Sequence, residues 1–152
     1  YNIGSESFWI DEGSSAMTVK KYNGFEILKN VYLHGQILPE YYPGISDLPV
    51  YHFTLYYWTR VFGISETALR SYSALFGILS MPFVFLIARS LYGKKNAILS
   101  SFLFAISILM IAYSQEARPY ALYLFLGLSS IYYFINSLKS NKKHYSGLYI
   151  LF

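Results

Sequence analysis

Long apolar runs alternate with short charged connections over the second half of the chain. Residues 71–88, 96–115 and 119–138 contain no charged side chain. Each run approaches the ~20 residues that an α-helix needs to cross ~30 Å of hydrocarbon. We therefore predict an all-α, polytopic membrane protein with transmembrane helices at about 66–88, 96–115 and 119–138, and the start of another from 145.

Residues 1–65 are more polar, and their pattern predicts short helices. Ser14 or Ser15 can cap a helix that Gly35 and Pro39 would end. Its apolar residues would share one face at helical spacing. These residues are Met17, Phe25, Leu28 and Tyr32.

A second short helix is predicted at residues 50–62, directly after Pro49. It is aromatic nearly all round and too short to span a bilayer comfortably, and Tyr and Trp favour the membrane–water boundary. Residues 1–65 are therefore predicted to form an outer first loop with interfacial helices. Ser65 is expected to cap the first span, with Glu66 favourable in its first turn.

The composition supports a membrane protein and argues against nucleic-acid binding. The 152 residues are 55% hydrophobic and only 13% charged, whereas soluble domains have about a quarter of their residues charged. The formal net charge of +4 comes from short clusters of cations between apolar runs. There is no cysteine, so neither disulfides nor thiolate chemistry is available. The chain begins without Met and stops inside an apolar stretch, so we expect it to be a piece of a longer protein.

The cation clusters predict the orientation in the membrane. The connections at residues 89–95 and 139–143 carry six cations and no acid, which places both in the cytoplasm by the positive-inside rule. Residues 1–66 and the connection at 115–119 then lie on the outer side. We therefore predict a multi-pass protein of the cell membrane with extracytoplasmic outer loops.

Two pairs of charged residues on the predicted outer side are candidates for catalysis or substrate binding. One is a pair of acids, and the other is an acid with a cation. Adjacent carboxylates at Asp11 and Glu12 can supply a general base or a metal ligand, although acids at a helix N-terminus are also simply stabilised by its dipole. Glu116 and Arg118 lie between two predicted spans, where charges are expensive to hold. They can form an ion pair that ends two helices, or Arg118 can bind a phosphate bidentately.

Four motifs in order resemble those of the GT-C superfamily of integral-membrane glycosyltransferases. The branch most similar contains the dolichyl-phosphate-mannose–protein mannosyltransferases and the lipid A aminoarabinose transferases. The motifs are Glu6-x-x-Trp9-x-Asp11-Glu12, Pro49-Val50-Tyr51 with Trp58-Thr59-Arg60-Val61-Phe62-Gly63, Ser65-Glu66-x-Ala68-Leu69-Arg70, and Tyr113-Ser114-Gln115-Glu116-Ala117-Arg118-Pro119-Tyr120-Ala121-Leu122.

The resemblance implies an enzyme that transfers a sugar from a polyprenyl-phosphate donor to a protein, lipid or glycan acceptor outside the cytoplasm. It implies Asp11 as the catalytic acid–base residue. Further residues are carried over as substrate-binding, and a divalent metal ion held by Asp11 and Glu116 is possible as the cofactor. The substrate-binding residues are Glu12, Arg70, Gln115, Glu116, Arg118 and Tyr120.

Two other functions are compatible with the same residues. A transporter or flippase of polyprenyl-linked sugars would line its path with Glu116 and Arg118, and a non-catalytic membrane scaffold would tolerate the loss of Asp11. One stretch also departs from the family pattern. Residues 47–49 read Asp-Leu-Pro, where relatives often carry a basic or polar residue and two prolines.

Overall fold

A computed structural model describes residues 10–34 and 49–139, without the side chains of Ile10, Asp11 and His34. Within these residues the chain is helical and has no strand, which confirms the predicted all-α membrane fold. The helix predicted from residue 145 lies outside the described residues. The helices are α1 (Ile10–Lys21), α2 (Gly24–His34), α3 (Pro49–Phe62), α4 (Glu66–Tyr92), α5 (Lys94–Ala105), α6 (Ile108–Gln115) and α7 (Tyr120–Lys139).

The chain divides into two compact units. Unit 1 contains α1 to α3, the start of α4 as far as Tyr72, and the connection Glu116–Pro119. Unit 2 contains the rest of α4 and helices α5 to α7. The first unit therefore extends into α4, beyond the predicted end of the outer loop at residue 65, and the placement of residues 1–65 outside the cytoplasm stays a prediction.

The single helix predicted to begin at Ser14 or Ser15 is wrong, because the structure has two helices there. α1 begins earlier, at Ile10, and ends before Asn23. The Asn23 side chain accepts a hydrogen bond from the backbone N–H of Glu26 at 2.9 Å. The Glu26 carboxylate in turn accepts one from the backbone N–H of Asn23 at 2.8 Å. This reciprocal capping box starts α2 as a new helix.

The aromatic helix α3 forms as predicted and packs against both α1 and α2. Ile27 of α2 is fully buried, with Tyr56 of α3 against it. α3 ends at Phe62, and the next residue, Gly63, has a φ of 84°, which suits a residue without a Cβ. The predicted cap of the next helix is confirmed, since the Ser65 hydroxyl accepts a hydrogen bond from the backbone N–H of Ala68 at 3.1 Å.

Unit 2 holds most of the candidate membrane spans, because only the start of α4 belongs to unit 1. α4 and α7 are each long and apolar enough to cross a bilayer, and α5 with α6 make a third span if the two count as one. The run at residues 96–115, predicted as one uninterrupted span, is a pair of helices bent by 55°. The break at Ile106 and Ser107 contains neither Pro nor Gly, whereas Pro82 lies inside an unbroken α4.

Packing in unit 2 depends on small and aromatic residues. Gly77 of α4 is buried against Ser114 of α6, so closely that an added Cβ would lie 2.9 Å from the Ser114 Cβ. The Phe83 ring contacts Phe125 of α7 edge-on, with centroids 5.5 Å apart. The Lys139 ammonium at the end of α7 donates hydrogen bonds to the backbone oxygen and the hydroxyl of Ser90.

Candidate active site

A buried ion pair in unit 1 joins three distant parts of the sequence. The Arg70 guanidinium donates from Nε to Glu12 Oε1 at 3.1 Å and from Nη2 to Glu12 Oε2 at 2.8 Å. The backbone N–H of Ala117 also donates to Glu12 Oε1, at 2.8 Å. One carboxylate thus binds α4 and the connection Glu116–Pro119 at the same time.

Each partner reaches this position through its own local structure. Glu12 lies in the first turn of α1, where the helix dipole favours a negative charge. Arg70 lies in the second turn of α4, which the Ser65 cap begins. The indole N–H of Trp58 donates to the backbone oxygen of Ala68 at 2.8 Å, which ties α3 to this part of α4.

Burial makes the pairing of these charges obligatory. Glu12 is 2% exposed and Arg70 is 6% exposed. A buried charge that loses its partner costs several kcal/mol, while a pair with its hydrogen bonds satisfied can be held inside a protein. The two-point contact between the guanidinium and the carboxylate also fixes their relative orientation. The arrangement is therefore well suited to position the segments that it joins.

Asp11 directly precedes Glu12 in the first turn of α1. Its side chain lies outside the described part of the structure, so its role as the base stays a prediction. The structure does show that the residue next to it is anchored on two sides. The backbone of α1 at Asp11 is consequently held in place by its anchored neighbour.

Glu116 and Arg118 lie beside the same anchor. Both are half-buried, and the backbone N–H of Arg118 donates to the backbone oxygen of Glu116 at 2.8 Å. Ala117, between them, is fully buried and provides the N–H that binds Glu12. The structure therefore brings this predicted loop to the N-terminus of α1, as a shared site requires.

The remaining predicted residues belong to unit 2. Gln115 is the last residue of α6 and is half-buried. Tyr120 begins α7, and its ring lies 4.8 Å from that of Tyr113, measured between centroids. Their contact with a substrate stays a prediction.

The described residues provide no cluster of metal ligands that would support the predicted metal site. Among the described residues, no group of three or more His, Cys, Asp and Glu side chains is placed to hold an ion. Glu12, the acid closest in sequence to Asp11, has both carboxylate oxygens bound by Arg70. A divalent ion at Asp11 and Glu116 stays a prediction.

The sequence predicted Glu12 and Arg70 as separate substrate-binding residues and did not predict that they form a pair. The signal that was available is the position of Arg70 at the start of an apolar run, because a cation there needs a counter-ion. The part played by the Ala117 N–H leaves no trace in the side-chain pattern. Both contacts join residues at least 58 positions apart.

Comparison with known proteins identifies the family. Residues 43–152 match the family model described as dolichyl-phosphate-mannose-protein mannosyltransferase. The chain belongs to this family. Arg70 and Ala117 lie inside the matched part, and Glu12 precedes it. The ion pair therefore links the part matched to this mannosyltransferase family with the segment that carries Asp11.

One curated relative is a protein of Aquifex aeolicus (strain VF5) described as an uncharacterized protein. It is 28% identical over 136 residues, which cover 87% of this chain and 26% of the relative. The chain thus spans about a quarter of the length of that relative. No solved structure matches the chain significantly.

Proposed function

We propose that the full protein is a GT-C glycosyltransferase of the cell membrane. It would transfer a sugar from a polyprenyl-phosphate donor to a protein, lipid or glycan acceptor on the extracytoplasmic face. Membership of the mannosyltransferase family supports glycosyl transfer. The apolar helices of unit 2 support a membrane location, and a membrane enzyme can hold a donor whose isoprenoid tail remains in lipid.

The observation that carries this proposal is the Glu12 carboxylate bound by Arg70 and by the Ala117 N–H. A glycosyl transfer needs a base and an anion-binding group held near each other. The contact brings the backbone that carries Asp11 to the backbone that carries Arg118. In the proposed enzyme Glu12 is a positioning residue that acts by holding Asp11 and Arg118 in place.

The proposed reaction is a direct displacement at the anomeric carbon of the donor. The acceptor oxygen attacks this carbon while its proton passes to the Asp11 carboxylate. The bond between the anomeric carbon and the phosphate oxygen breaks, and the polyprenyl phosphate departs with the bonding electrons. Because a phosphate is a stable anion, its departure needs no general acid.

Negative charge grows on the departing phosphate, and a guanidinium held nearby lowers the barrier. The Nε and Nη2 groups of Arg70 are directed at Glu12, so Arg118 is the better candidate for direct phosphate contact. Arg70 then holds Glu12 and the loop in place. Glu116, Gln115 and Tyr120 complete the proposed contacts with the donor.

The experiment is sugar transfer by the full-length protein in membranes, with polyprenyl-phosphate sugars as donors. Asp11→Asn removes the base while keeping the size of the side chain, so transfer should fall by at least about a hundredfold at unchanged protein level. Glu26→Gln is the matched control, because glutamine can still complete the capping box of α2. This control should retain transfer.

If the Asp11→Asn variant transferred sugar at the wild-type rate, Asp11 would have no part in the mechanism. A fall of equal size in Glu26→Gln would show that the assay reports folding and not chemistry. Movement of the intact polyprenyl-linked sugar across the membrane, without transfer by the wild type, would instead establish a flippase.

A further inference from the structure

One end of unit 2 carries a concentrated positive charge. Arg89, Lys94, Lys95 and Lys139 are the cations among the described residues of unit 2, and all four are exposed. No Asp or Glu occurs among those described residues. We call these four residues the basic end.

The contacts of unit 2 place these cations together. Arg89 lies in the last turn of α4, and only Gly93 separates α4 from the first turn of α5 with Lys94 and Lys95. The φ of 84° at Gly93 lets the chain turn sharply there. Lys139 of α7 donates to Ser90, so the end of α7 lies against the end of α4.

This arrangement leaves positive charge without compensation inside unit 2. Lys94 and Lys95 lie in the first turn of α5, where the partial positive charge of the helix disfavours cations. The first turn contains no acid, and Gly93 provides no side-chain cap. A group that neutralises these cations would therefore be an anion from outside the described part of this unit.

We infer that the basic end binds the headgroup phosphates of anionic phospholipids. The cations lie at ends of the candidate membrane spans, which are α4, α7 and the bent pair of α5 with α6. Headgroup phosphates are found at the ends of such spans. Each lysine or arginine near an anionic membrane surface adds measurably to the attraction. The basic end uses none of the residues of the proposed glycosyl-transfer site and does not depend on that activity.

The test measures lipid binding to the purified full-length protein in detergent. Native mass spectrometry would count bound phosphatidylglycerol and bound phosphatidylcholine, and the unfolding midpoint would be recorded with each lipid. The wild type should bind phosphatidylglycerol preferentially and be stabilised by it. Lys94→Gln with Lys95→Gln should weaken phosphatidylglycerol binding by about tenfold.

The matched control is Lys20→Gln with Lys29→Gln, which removes the same charge from two exposed lysines of unit 1. This control should bind phosphatidylglycerol like the wild type, and Lys94→Arg with Lys95→Arg should also retain binding. Unchanged binding by the glutamine variant at the basic end, or an equal loss in the control, would overturn the proposal. Equal stabilisation by inorganic phosphate would overturn the assignment to a lipid.

Discussion

The two units of this chain use polar groups in opposite ways. Unit 1 buries a charged pair, Glu12 with Arg70, and satisfies it with a third group from the connection Glu116–Pro119. Described residues of unit 2 contain no acid, and their cations are exposed at one end. Unit 2 packs instead through aromatic rings and the close approach of Gly77 to Ser114.

This difference separates general from specific causes of structure. The apolar composition of unit 2 favours membrane-spanning helices, whatever the exact order of the apolar residues. Unit 1 depends on individual contacts between residues far apart in sequence, so a substitution that removes one of those contacts should have the largest effect. The buried Glu12–Arg70 pair of the candidate site belongs to the unit whose structure is specified in this second way.

The largest effect is expected from Glu12→Ala. The substitution leaves the Arg70 guanidinium buried without its counter-ion, which should cost about 3–5 kcal/mol of unfolding free energy. The shift of the unfolding midpoint of the full-length protein in detergent measures this cost. Replacing both residues by methionine should recover much of the stability, because no buried charge then remains. Equal losses in the single and double variants would contradict a role based on paired charge.

A smaller loss is expected in unit 2 from Gly77→Ala. The added Cβ would clash with the Oγ and Cβ atoms of Ser114, so the helices must move apart, at a cost of about 1–3 kcal/mol. The same midpoint measurement applies. Adding Ser114→Gly to the variant should restore stability.

The matched control for this helix contact is Gly127→Ala in α7, where an added Cβ meets nothing within 4 Å. Because alanine favours a helix over glycine by about 1 kcal/mol, this control should be neutral or slightly stabilising. A loss in the control equal to that in Gly77→Ala would show that the contact with Ser114 is not the cause.

The smallest effect is expected from Asn23→Ala, which removes the cap of α2. Loss of an N-cap side chain costs about 1 kcal/mol. Hydrogen exchange at the amides of the first turn of α2 should accelerate, while exchange in the middle of α3 should change little. Asn23→Asp keeps a capping oxygen and should behave like the wild type. Acceleration of equal size in both variants would exclude the cap as the cause.

The sequence patterns predicted those elements whose signals are local. Pro49 began the aromatic helix and Ser65 capped the next one, because each acts within its own turn. The break before α2 was missed because the apolar spacing continues across it, while the capping box of Asn23 and Glu26 decides the boundary. The bend at Ser107 was missed because no Pro or Gly marks it.

The candidate site was predicted as a set of residues but not as a geometry. Asp11, Glu12, Arg70 and Arg118 were named from charge and motif. The binding of Arg70 to Glu12 depends on how α1 and α4 pack, and a pattern in one segment carries no information about its partner in another. The Ala117 N–H is a backbone donor, which every residue but proline supplies.

The bend between α5 and α6 has a consequence for hydration. The run at residues 96–115 contains both the last turn of α5 and the first turn of α6, and terminal turns of helices leave backbone groups without partners in the helix. Hydrocarbon provides no hydrogen-bond partner for such groups, so they require one from protein or water. In the working membrane protein, the neighbourhood of Ile106 and Ser107 should therefore be shielded from lipid or wetted, although its side chains are largely apolar.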